Sequence, residues 1–137
     1  VTMNLKDRIL YNKNRNKEIY TSYFGAMKKI PDRFEFITIC GKAPMWYKGI
    51  QYKKLAPKID FFMEWKKTQD NDYYIEHFYN EVLDELNPHE IVNELFHLSN
   101  DRPIILLCYE KTGDFCHRYL VADWLVNAGY DIKEMKV

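Results

Sequence analysis

Ile104-Ile-Leu-Leu-Cys-Tyr-Glu-Lys-Thr-Gly-Asp-Phe-Cys-His-Arg-Tyr-Leu-Val-Ala-Asp-Trp124 is the stretch from which the fold can be read. Its first six residues, Ile104 to Tyr109, form an unalternating apolar run. Asp101-Arg102-Pro103 precedes the run and a polar break follows it. A run this short, without alternation, reads as a strand buried on both faces of a parallel sheet. After Gly113-Asp114 the pattern changes to helical spacing: Leu120, Val121, Trp124, Leu125 and Ala128, ended by Gly129. Strand, short polar loop and helix make one half of a βαβ unit.

The loop and the start of the helix carry the chemistry. Asp114 is the expected N-cap, its carboxylate accepting backbone N–H bonds. Cys116, His117 and Arg118 then fall in the first turn. The partial positive charge of a helix start favours a thiolate at Cys116 and a neutral imidazole at His117. It disfavours a guanidinium, so Arg118 implies an anion nearby. Glu110, Asp114 or a bound phosphate or carboxylate would serve. The alternative is an internal Arg118–carboxylate pair, with Cys116 packed as a small hydrophobe.

These residues also carry a family likeness. Leu106-Leu-Cys-Tyr-Glu-Lys followed by Phe115-Cys-His-Arg resembles the signature of the domain of unknown function 488 family. Ile19-Tyr-Thr-Ser-Tyr-Phe24 is similar to that family's opening strand. Ile37-Thr-Ile-Cys-Gly-Lys-Ala-Pro44 and Leu55-Ala-Pro57 resemble its middle. The likeness runs from Ile19 to Val137. It implies a small cytoplasmic α/β domain with a candidate site, and it implies no particular reaction.

Composition sets the outer bounds. A chain of 137 residues is long enough for one real core. With 47% hydrophobic and 29% charged residues, it has a globular balance rather than a disordered one. A formal net charge of zero argues against whole-molecule attraction to nucleic acid or membrane. Three cysteines, an odd number, with no secretory signal are expected of a reducing cytoplasm rather than a disulfide framework. No apolar run approaches the length that spans a bilayer.

Outward from the organising unit, residues 1–17 read as a basic N-terminal extension. Lys6, Arg8, Lys13, Arg15 and Lys17 face Asp7 alone. Such an arm either contacts nucleic acid or an acidic partner, or is a solvated extension. Residues 18–137 read as one α/β domain. Glu18 to Phe24 and Phe34 to Cys40 are strand candidates. The segment Ala43 to Pro57 is a long connection dense in aromatics and lysines, able to stack a base and hold a phosphate or to pin itself to the core. Three helices are expected over Lys58 to Lys67, Asp72 to Leu86, and from Asn87-Pro88 to Leu98, the last with Asn87 as N-cap. Tyr130 to Met135 reads as a terminal edge strand.

Standard templates are absent: no GxGxxG, no Walker A spacing before Lys111-Thr112, no GxSxG. Cys108 and Arg118 follow the order of a phosphatase or rhodanese anion loop, but the connection is several residues too long, so the match is an analogy. Zinc is a further option, with Cys108, Cys116, His117 and Cys40 as donors.

The reading is a single three-layer, Rossmann-like α/β domain with a mostly parallel sheet of about four strands and flanking helices. Its site lies at the strand carboxyl ends. Cys116 is the candidate nucleophile, with His117 or Glu110 handling the proton and Glu110 better placed as base. Arg118, Lys111, Thr21, Ser22 and Lys42 are candidate contacts to an anionic small molecule or nucleic acid. The expected function is a thiol-dependent hydrolase or transferase on a nucleotide or nucleic-acid substrate. The alternatives are a non-catalytic nucleotide or nucleic-acid binding module and a zinc-binding domain.

Overall fold

The computed structural model describes residues 3–137. Its centre is the strand read from the apolar run, β4 (Ile104–Cys108), every residue of which is buried. Ile104, Leu106 and Cys108 face one core, and Ile105 and Leu107 face a second. This two-sided burial is what removes any alternation from its sequence.

β4 is flanked by β1 (Ile19–Tyr23) and β2 (Glu35–Thr38), with β3 (Ile50–Gln51) and β5 (Ile132–Glu134) at the edges. The order is β3-β2-β4-β1-β5, and every pairing is parallel. The sheet thus has five strands rather than about four. The additional strand, β3, is two residues long and lies inside the segment expected to be pure connection. Parallel strands put Tyr23, Thr38, Cys108 and Glu134 at one edge. Tyr23 lies opposite Cys108 in the register.

Four helices build the layer on one face: α2 (Ile59–Thr68), α3 (Asn71–Glu81), α4 (Pro88–Leu98) and α5 (His117–Asn127). Phe61, Tyr74, Phe78, Ile91, Leu95 and Val121 carry their apolar stripes into the core. The Asn87 carboxamide caps α4 by accepting from the His89 and Glu90 backbone N–H groups, with Pro88 at the first position, as the sequence indicates. The expected Asp72–Leu86 helix is broken instead. At Val82 the backbone leaves the helix (φ −115°, ψ −67°) and a 3-10 turn covers Leu83–Glu85. The opposite face is covered by a 3-10 segment, Phe24–Lys29, by Ile30 and Phe34 between it and β2, and by Tyr47 from the loop after β2.

The 1–17 stretch, expected to extend from the domain, carries α1 (Leu5–Asn14), which docks on α4. Asn14 is buried and donates to the Asn93 side chain at 3.1 Å. The Tyr11 ring meets those of His89 and Tyr130 edge-on. Its hydroxyl donates to the Gly129 carbonyl at 3.1 Å. Gly129 has φ +105°, which ends α5 in the left-handed region, and a Cβ there would lie 2.9 Å from the Tyr11 ring. No helix among the described residues is long and apolar enough to cross a membrane.

Candidate functional site

β4 delivers Cys108 to the carboxyl edge of the sheet, and a loop through Gly113 (φ +98°) turns the chain into α5. The helix begins later than its sequence indicates. Asp114 lies exposed in the turn, and Cys116 takes the N-cap position with an extended backbone (φ −157°, ψ 142°). Its sulfur accepts from the Arg118 backbone N–H at 3.5 Å. A sulfur therefore fills the role usually played by a cap oxygen, at the positive end of the helix.

Cys108, Cys116 and His117 are all buried, and one donor atom from each lies within 4.8 Å of the others. The Cys108 sulfur sits 3.8 Å from His117 Nδ1 and 3.7 Å from Nε2. His117 Nε2 is 2.8 Å from the Ile39 carbonyl. A carbonyl only accepts, so Nε2 carries the ring proton and Nδ1 of the neutral ring keeps a lone pair. The Phe78 ring packs edge-on to the imidazole and fixes its orientation.

The two sulfurs are driven apart in acidity. Burial pushes the Cys108 thiol well up, so it stays protonated. Cys116 is pulled well below the ordinary thiol range: the Cys108 S–H donates to it first of all, burial opposes, and His117 and the Arg118 amide add to the pull. Burial, then the neighbouring Cys116 charge, push the Glu110 carboxyl up. The site thus sets a thiol drawn toward ionisation beside a carboxyl drawn toward protonation, two groups whose surroundings separate their acidities.

A cleft of about 660 Å³ opens above this floor. Phe62 and Trp65 from α2, with Ile59, form one wall, and Tyr109 contributes to the lining. Phe115 lies against Trp65, ring centroids 5.5 Å apart and tilted by 32°. Lys42 and Lys66 line the same cleft, Lys66 Nζ standing 5.4 Å from the Phe62 ring centre.

The other sequence-derived candidates separate. Arg118 is fully buried and its guanidinium is occupied within the protein. Nε and one terminal nitrogen donate to Glu134 at 3.1 and 2.8 Å, and the other terminal nitrogen donates to the Glu110 carbonyl at 2.6 Å. Burial works against this charge, and Glu134 more than restores it, raising the guanidinium pKa. Thr21 is part of the same assembly, its hydroxyl donating to Glu134 at 2.6 Å. Ser22 is buried, and its hydroxyl has no protein partner among the described residues. Lys111 is exposed on the loop. Of these five, Lys42 alone lines the cleft. Cys40 also lines it, but its sulfur is 2.9 Å from the Thr38 hydroxyl, outside the three-residue cluster.

Sequence reasoning did not single out Phe62, Trp65 or Phe115 as site residues, nor Glu134. Aromatics at helical spacing on α2 look like core, and only the fold shows that part of this face borders a cleft. Glu134 reaches Arg118 because β5 lies beside β1, a neighbour relation that no local pattern encodes.

No curated protein and no solved structure matches the chain. A family model does: that of the active DUF488-N3 subclade, DUF488-N3a, over residues 26–129. The matched range holds Cys108, Glu110, Cys116 and His117 and leaves out β1 and β5. It extends over most of the length, and the chain belongs to the DUF488-N3a family.

Proposed function

We propose that this chain is a cytoplasmic, thiol-dependent hydrolase or transferase acting on a nucleotide or nucleic-acid substrate. The observation that carries the reading is the Cys116–Cys108–His117 cluster, with Glu110 beside it, at the floor of an aromatic cleft with lysines in its lining. The Cys116 thiolate attacks an electrophilic carbon or phosphorus of the substrate. Glu110, whose carboxyl burial and the Cys116 charge push up, serves as the acid that gives its proton to the leaving group. The bond from sulfur is then broken by water or a second acceptor, whose proton returns to the Glu110 carboxylate. His117 stands beside both sulfurs, its ring fixed by the bond from Nε2 to the Ile39 carbonyl. Glu110 thus acts first as acid, where the sequence favoured it as base. The aromatic walls suit a planar base, and Lys42 and Lys66 suit a phosphate. All three cysteines are free, which fits a reducing compartment.

Alkylation followed across pH tests this reading. Cys116 should be modified first and well below the ordinary thiol pKa of about 8.5. A nucleoside monophosphate should protect it. Glu110→Gln should lower turnover by roughly 10²-fold or more while binding persists. Modification of Cys108 first, or no protection by any nucleotide, would remove the proposal.

The same cluster supports a second reading as a zinc site. Two sulfurs and an imidazole are zinc donors, and the Ile39 carbonyl on Nε2 is the kind of partner that orients a ligating histidine through Nδ1. If zinc binds at one equivalent and blocks alkylation of Cys116, with stability lost on chelation, that reading replaces the thiolate one.

A further inference from the structure

We infer that the physiological ligand of this cleft is single-stranded nucleic acid rather than a free mononucleotide. The inference rests on the nucleotide reading of the same site and extends it outward. A mononucleotide would use the cleft alone, and that leaves a neighbouring surface unexplained. Trp46 is 59% exposed and Met45 95%, and neither lines the cleft. Tyr109, half exposed, does line it. The Phe24 ring joins the two, its centroid 5.8 Å from Trp46 and 5.0 Å from Tyr109. The Tyr109 hydroxyl donates to the Lys42 carbonyl at 2.6 Å, which fixes the loop that carries Lys42 beside the ring. Tyr109 in the cleft lining and Trp46 outside it thus pack on one buried ring, so an exposed aromatic stands beside the cleft that Trp65 and Phe62 line. Successive exposed rings are what successive bases stack on.

Charge follows the same segment. Residues 42–67 hold seven lysines, all exposed, against Asp60 and Glu64, in a chain whose net charge is zero. Lys54 is engaged by Glu94 at 2.9 Å. Lys42 and Lys66 line the cleft, and Lys48 follows Trp46 by two residues. Exposed lysines beside these rings fit a polyphosphate backbone whose unpaired bases are free to stack.

The test is fluorescence anisotropy with labelled oligothymidylate and oligouridylate of about six nucleotides, a duplex of equal length, and thymidine or uridine monophosphate as competitor. Single strands should bind at least about tenfold more tightly than the monophosphate or the duplex. Trp46→Ala should remove about tenfold of the oligomer affinity, Trp46→Phe should restore most of it, and neither should alter protection of Cys116 by the monophosphate. Lys42→Gln with Lys48→Gln should flatten the logarithmic salt slope by about 1.4, two contacts at roughly 0.7 each. The two sugars distinguish DNA from RNA as the source. Oligomers that bind no better than the monophosphate, or affinity unchanged in Trp46→Ala, overturn this inference and leave the nucleotide reading standing. Absence of binding by both oligomer and monophosphate overturns the two together.

Discussion

The lowered thiol pKa of Cys116 comes from its neighbour as much as from its own position. A helix start lowers a thiol pKa, but burial raises it, and Cys116 is buried. The donated Cys108 S–H tips the balance. Cys108→Ala should therefore raise the Cys116 thiol pKa and move the midpoint of its alkylation profile up by about one pH unit. Cys108→Ser, which keeps a donor, should lie between the two. The ultraviolet absorbance of the thiolate reads both variants, and an unchanged titration in Cys108→Ala would mean that the helix and His117 suffice alone. That these residues lie together was legible beforehand. Cys116, His117 and Glu110 stand out because their types and spacing surround a strand end and a helix start. The partnership with Cys108 was not, because a cysteine ending a buried strand looks inert until the fold places its sulfur against another. Arg118 was read with an anion nearby, and one is there, but it is Glu134 of the protein itself.

Among the elements, α5 and β5 are held together by that pair. Arg118 on α5 is buried, and Glu134 on β5 is partly so. Burial alone would raise the Glu134 pKa, but hydrogen bonds from Arg118, Thr112 and Thr21 hold it below the ordinary carboxylate value. A carboxylate with a depressed folded pKa stabilises the native state fully above its unfolded pKa of about 4.3, and that stability is lost as pH falls through the folded value. Wild type should thus lose stability in acid below about pH 4.3. Glu134→Gln should be less stable by about 3 kcal/mol at neutral pH, because it leaves a buried guanidinium without its counter-charge. It should also lose less on acidification, as urea unfolding at both pH values would show. Equal stability of the two proteins at neutral pH would mean that the Tyr119 hydroxyl and the Glu110 carbonyl suffice to hold Arg118. The elements most legible in the sequence were those with local signals: β4 by its unbroken run, and α4 by Asn87 and Pro88. Those missed lacked such signals. β3 is two residues that are strand only because β2 offers them an edge. The break at Val82 falls within a continuous helical apolar stripe, so tertiary packing decides it.

At the scale of the molecule, chemistry and docking occupy opposite ends of the sheet. The site lies where the parallel strands finish. α1 leads into the start of β1 and packs by Gly129, where α5 finishes. Its positive charges made it look like a solvated or nucleic-acid-seeking arm. Three are engaged within the protein instead: Lys6 with Glu90 at 2.7 Å, Lys17 with Asp101 at 2.7 Å, and Lys13 with Asn93 at 3.3 Å. The exposed ion pairs contribute little each. The buried Asn14–Asn93 contact and the Tyr11 packing contribute more, since their loss bares polar and apolar groups of α4 and Tyr130. Deleting residues 1–17 should accordingly lower the melting temperature by roughly 5–10 °C, as expected for about 2 kcal/mol in a domain of this size. Tyr11→Ala should account for a good part of that loss. Neither change should move the pH dependence of Cys116 alkylation, because the floor of the cleft is assembled by β4, α5 and the Ile39 carbonyl, none of which α1 touches near the site. Calorimetry and alkylation on the same preparations separate these effects. A truncation that unfolds at the wild-type temperature would show that α1 is carried rather than required. A truncation that alters Cys116 would show that the two ends of the sheet are coupled.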